Sequence, residues 1–133
     1  MSEEPLFTKI DCLRLPVSDL EEALRFYRDR LGHELIWRTE TGAGLRLPES
    51  NAELVLQTER AGAETDISVE DVASAVERFV AAGGSVVAPP FAIQIGMCAV
   101  VRDPFGNVLV LLDASKGLLV TDEAGNVVGN EPA

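Results

Sequence analysis

The chain has 133 residues, 47% hydrophobic and 25% charged, which fits one globular domain with its own core and excludes a disordered or fibrous chain. Twenty-two acidic residues stand against 11 basic ones, and the net charge of −11 argues against nucleic acid, whose binding rests on neutralised phosphates, and against anionic membrane surfaces. No apolar run approaches the roughly 20 residues of a membrane helix, and residues 1–12 lack the basic-then-apolar pattern of a signal peptide. Two cysteines, Cys12 and Cys98, are too few for a secreted disulfide framework, so a cytoplasmic protein with reduced thiols is expected.

Taken in chain order, Ile10–Val17 alternates as a strand. Ser18 with Glu21 then reads as a capping box. Leu20, Ala23, Leu24, Tyr27 and Leu31 make one helical face that ends at Gly32. Glu34–Thr39, Gly44–Leu47 and Glu53–Thr58 are predicted strands, the last two joined through Pro48-Glu49-Ser50-Asn51. Glu64–Val69 is the next strand. A helix follows over Asp71–Ala82 with Val72, Ala75, Val76, Phe79 and Val80 on its apolar face, stopped by Gly83-Gly84. Ser85–Ala88, Met97–Arg102 and Val108–Asp113 complete the pattern, the last two joined by Asp103-Pro104-Phe105-Gly106-Asn107. Leu118–Val128 reads as a further hairpin turning at Glu123-Ala124-Gly125-Asn126, an appendage that covers a sheet edge.

The two halves repeat. Val17-Ser18-Asp19-Leu20 and Val69-Glu70-Asp71-Val72 open the two helices at an offset of 52, which Gly32 and Gly84 also keep. The expected fold is α+β: two βαβββ modules forming a curved mixed sheet with the helices outside, plus a short C-terminal hairpin. A single domain over 1–133 holds module one at about 7–59, module two at about 63–115 and an extension at 116–133.

Strand alternation sorts the faces. Leu13, Leu15, Val17, Ile67 and Val69 turn toward the helices, as do Leu54, Leu56, Leu109 and Leu111. The opposite face carries Cys12, Arg14, Glu53, Val55, Gln57, Glu64, Asp66, Val108, Val110 and Leu112. This mixture suits neither a solvated face nor a core, and a small-molecule cavity, or a dimer seam containing one, explains it best. Candidate ligand-binding residues are Cys12, Arg14, Val55, Gln57, Glu64, Asp66 and Val110, with Trp37 as an aromatic wall.

The segments Leu13–Gly32 and Asp103-Pro-Phe-Gly-Asn-Val-Leu-Val-Leu-Leu112, together with the repeat, resemble the glyoxalase/bleomycin-resistance/dioxygenase proteins, or vicinal oxygen chelate superfamily, over roughly 7–115. The resemblance implies the paired-module fold, a small-molecule ligand and a homodimer. In the family's metalloenzymes the first and last strands of each module supply the ligands of one divalent ion. Those positions fall here on Cys12, Val55, Glu64 and Val110, and valine has no lone pair to give. The only histidine, His33, lies after the first helix. No metal and no other cofactor are therefore expected.

Three functions follow. The first is a small-molecule-binding protein with a degenerate metal site, including resistance-type sequestration, for which the acidic charge would favour a cationic drug. The alternative is a glyoxalase-like lyase or dioxygenase acting on a small carbonyl or aromatic substrate, which the valines weigh against. The third is a metal-free enzyme using Glu64 as base or Cys12 as nucleophile, for which no activating histidine stands in the set. No catalytic residue is assigned.

Overall fold

The structure is a computed structural model and describes residues 4–132. It is an α+β fold of two βαβββ modules with a two-stranded hairpin at the end. The elements are β1 (Lys9–Pro16), α1 (Leu20–Leu24), β2 (Leu35–Arg38), β3 (Gly42–Arg46) and β4 (Glu53–Gln57) in the first module. The second has β5 (Glu64–Ser68), α2 (Val72–Ala81), β6 (Ser85–Ala92), β7 (Met97–Arg102) and β8 (Val108–Leu112), followed by β9 (Leu118–Thr121) and β10 (Val127–Glu131). The described residues fall into two compact units. The N-unit is Asp11–Thr65 with Val120–Gly129. The C-unit holds the residues up to Ile10, Asp66–Leu119, and those from Asn130 on.

The N-unit orders its strands β2-β3-β4-β1, with β1 and β4 parallel and the other pairs antiparallel. The parallel register sets Arg14 beside Val55, with Leu13 beside Leu54 and Leu15 beside Leu56. Ala43, Leu45, Leu54 and Leu56 pack under Leu20, Ala23 and Leu24 of α1, joined at the margin by Leu15, Val17 and Tyr27. Leu13 is on the same strand face but stays exposed and outside this core.

The helix start differs from the capping box. The cap is Asp19, whose carboxylate accepts from the Glu22 amide at 3.0 Å, and Asp71 caps α2 through Ser74 at 2.9 Å. Both caps have extended backbone, which puts the short carboxylate in reach of the free amides. Beyond Leu24 the chain continues as a π-helical turn, Arg25–Arg30, in which the Leu31 amide reaches back to the Phe26 carbonyl. The wider turn rotates the side chains out of the 3.6-residue period, so Leu31 faces solvent rather than the core.

The C-unit orders its strands β5-β8-β7-β6, again with the first and last strands of the module parallel, Asp66 beside Val110 and Ile67 beside Leu111. Val72, Ala75 and Val76 of α2 pack on Ile67, Val69, Ala99, Val101 and Leu111, with Leu6 and Phe79 at the margin, while Val80 is exposed. The two glycines after α2 have different duties. Gly83 takes the left-handed conformation, at φ 117°, and a side chain at Gly84 would collide with the Phe79 ring. β6 runs four residues further than the sequence suggests, through Pro89-Pro90. It is an edge strand with irregular register, so the missing proline amides cost it little.

The turns of Asp103–Asn107 and Asp122–Asn126 are alike. Each aspartate accepts from the amides two and four residues on and from the asparagine side chain, and each turn has a left-handed glycine, Gly106 or Gly125. The second turn lies on β2: the Arg38 amide donates to the Gly125 carbonyl at 2.7 Å and Arg38 bridges Asn126. The appendage thus occupies the edge that β2 leaves open, as expected of it.

Asp113 ties the C-unit together. Its carboxylate is buried and accepts from the amides of Val72, Met97 and Ser115 and from the Ser115 hydroxyl. Burial pushes its pKa up, but the donors, led by the Ser115 hydroxyl and the Val72 amide, outweigh that and leave it below the usual carboxylate value. A depressed carboxylate stabilises above its unfolded pKa of about 3.9 and loses that contribution as pH falls through the lower folded value. Asp113→Asn is expected to cost about 2–4 kcal/mol at pH 7, with the deficit narrowing below about pH 4, read by urea unfolding across the acid range.

Candidate functional site

The face of the N-unit sheet opposite α1 is built from one row across four strands. Trp37 of β2 pairs with Gly44 of β3, Gly44 with Val55 of β4, and Val55 with Arg14 of β1. Paired residues share a face, so an indole, a bare backbone, a valine and a guanidinium succeed one another. Cys12 and Glu53 form the next row in one direction, and Gln57 with Gly42 the row in the other.

Trp37 lies flat over β3. A β-carbon at Gly44 would collide with the indole, and one at Gly42 would lie 3.6 Å from its ring. The indole Nε1–H donates to the Glu53 carboxylate at 2.7 Å, which fixes its direction. Sequence reading missed Gly42 and Gly44. Their alternate spacing in Gly42-Ala43-Gly44 places both on the face that Trp37 covers, and that spacing was the available signal.

Arg14 and Glu64 form the polar end. Their side chains are each 21% exposed, and Arg14 Nε lies 3.9 Å from Glu64 Oε2. That separation is an ion pair but too long for a hydrogen bond. Arg60 approaches the same carboxylate, with Nη2 3.3 Å away. Arg14 Nε is buried and makes no hydrogen bond among the described residues.

The remaining expected residues divide. Cys12 and Val55 are buried in the N-unit. Gln57 is buried with its amide engaged, accepting from the Glu59 and Arg60 amides and donating to the Arg60 carbonyl, all at 2.8 Å, so it shapes the loop that carries Arg60. Asp66 and Val110 belong to the C-unit, where both are buried side by side. Val110 joins an apolar cluster with Cys98 and Leu112. His33 sits at its turn, with Nδ1 3.1 Å from the Arg46 carbonyl oxygen. Among the described residues no group of three or more His, Cys, Asp or Glu is gathered to hold a metal ion. No helix among them is long and apolar enough to cross a membrane.

The sequence model of the Glyoxalase/Bleomycin resistance protein/Dioxygenase superfamily matches residues 9–111, and the chain belongs to that superfamily. Among solved structures it is similar to methylmalonyl-CoA epimerase from Mycobacterium tuberculosis, with a TM-score of 0.70 and 20% identity over 85% of this chain and 92% of that one. It is also similar to a structure described as NAD-dependent benzaldehyde dehydrogenase from Legionella pneumophila, with a TM-score of 0.64 and 19% identity over 77% and 97%. An extradiol ring-cleaving dioxygenase from B. fuscum gives 0.59 and 23% over 83% of this chain but only 33% of the enzyme. At these identities the likeness is one of fold. No curated protein matches the chain.

The packing of Trp37 makes a graded test. Gly44→Ala is expected to displace the indole, shift the emission of this sole tryptophan and cost about 1–3 kcal/mol. Gly42→Ala meets only close contacts, with 3.3 Å to the Leu56 carbonyl, and is expected to cost less, on the order of 1 kcal/mol or below, in the same denaturation and fluorescence series.

Proposed function

We propose that this protein is a small-molecule-binding member of its superfamily whose metal site is degenerate. The carrying observation is the donor set. The positions where the family's metalloenzymes place ligands hold Cys12, Val55, Glu64 and Val110, and two of the four have no donor atom. Glu64 is already shared by Arg14 and Arg60, whose positive charges oppose a cation at that carboxylate. Thiolate with carboxylate is also a mismatched pair for one ion. These residues do not fit a divalent metal.

What stays is a binding face with an oriented indole at one end and a guanidinium at the other, the usual composition of a ligand site. Resistance-type sequestration is one use of such a face. A cytoplasmic location fits Cys12 and Cys98, which are buried and not joined in a disulfide. A homodimer fits the exposed edge strand β6, with Val86, Val87 and Phe91 open to solvent.

Protein purified without chelator is expected to contain well under one divalent metal per chain by elemental analysis, and its thermal midpoint should not move with EDTA. In a thermal-shift screen of small metabolites and antibiotics, a ligand at a hundredfold excess over its Kd is expected to add about 2.7 kcal/mol, a rise of several degrees. Stoichiometric metal whose removal lowers the midpoint would overturn the reading.

A further inference from the structure

Arg14 has an unfinished environment. A guanidinium keeps its charge at any ordinary pH, and a buried N–H with no acceptor is costly enough that folded proteins supply one. Here Nε is buried without a hydrogen bond among the described residues. On its β4 side the neighbour, Val55, is aliphatic, and Pro16 on its own face has no side-chain acceptor. The near carboxylate, Glu64, stands off at 3.9 Å and is closer to Arg60, at 3.3 Å. Two guanidiniums therefore share one carboxylate in a chain whose net charge is −11.

We infer that Arg14 is the anchor for the carboxylate of a small monoanionic ligand. The inference rests on the metal-free binding reading above and names the ligand class. A planar carboxylate matches the guanidinium fork, and it would approach from the part of the side chain that solvent reaches. A phosphate dianion would bring twice the charge against the Glu64 carboxylate at close range. The partial exposure of Arg14 leaves the group open to a ligand from solvent. Glu64 then has a definite part. It holds the two arginines in place while the site is empty and competes with the ligand for them.

The test titrates the full-length protein with sodium propionate and sodium benzoate at constant ionic strength, against sodium phosphate and benzylammonium chloride. Binding is read from the Arg14 Nε–Hε resonance in ¹H–¹⁵N spectra and from calorimetry. Both carboxylates are expected to give a saturable shift, with affinity falling about tenfold or more in Arg14→Gln. Arg14→Lys keeps the charge but not the fork and should weaken binding severalfold, so the result stands even if the glutamine variant folds poorly. Glu64→Gln is the sharper arm: removal of the competitor should tighten carboxylate binding severalfold, whereas a site that recognises a cation through Glu64 would lose its ligand. Unsaturable carboxylate shifts, an Arg14→Gln affinity equal to that of the unaltered protein, weaker carboxylate binding in Glu64→Gln, or a preference for phosphate or benzylammonium would each overturn the assignment. A metal-free protein that binds only neutral or cationic compounds would sink this inference alone. Stoichiometric metal would sink the reading beneath it.

Discussion

The parallel pairing of the first strand of each module with its last decides which side chains can act together. Two parallel neighbours need a long crossover, and here that crossover holds a helix and two further strands. The register then has no freedom to slip by one, because Leu15 with Leu56, and Ile67 with Leu111, must meet the helix on one side. Once those pairs are buried, Arg14 has to stand beside Val55 and Asp66 beside Val110 on the other side. In each unit the composition of the face away from the helix follows from the burial of the face toward it.

Within that constraint the modules have diverged at matching positions. Arg14 and Asp66 are 52 apart in the repeat and carry opposite charges. Thr58 and Asp113 stand one residue past Gln57 and Leu112 at the ends of their last strands, yet they hold different things. Asp113 collects four donors, including the first amide of α2, whereas the Thr58 hydroxyl makes one contact, to the Thr41 carbonyl. The anchoring of loops in the first module falls instead to Gln57. The C-unit face opposite its helix gathers an apolar cluster around Val110 with the buried Asp66 beside it, while the N-unit face carries Trp37, Arg14 and Glu64. The repeat therefore preserves the backbone and lets each module use its inner positions separately.

The strands and both helices were legible because alternation, helical period and Gly or Asp turn chemistry agreed along the chain. The departures come from interactions that no local pattern encodes. Ser18 and Asp19 are both sound cap residues by type, and only the backbone angle at each decides between them. The π-helical turn is invisible to a 3.6-residue template, which assigns Leu31 to a face it does not share. The proline pair in β6 reads as a strand end until the strand is known to be an edge. At the candidate site the residue types were visible, and alternation alone put Cys12, Arg14, Val55 and Gln57 on one face. The partners were not. That Gln57 spends its amide on the backbone, and that Trp37 lies over Gly44 of the next strand to reach Glu53 of β4, depends on side-chain directions that pairing register determines only after folding.

The same distinction governs charge. A net charge of −11 suggests a preference for cations, but an overall charge acts at a distance and is screened over roughly 8 Å in physiological salt. A ligand seated on the sheet responds to the groups it touches. At the polar end of this face Arg14 and Arg60 both stand against Glu64, so an anion there meets two guanidiniums whatever the global charge. A large acidic surface around a small basic spot would disfavour polyanions such as nucleic acid at long range while still accepting a single carboxylate at contact range. The charge balance that excludes one class of anion thus leaves room for another, and the size and valence of the anion decide between them.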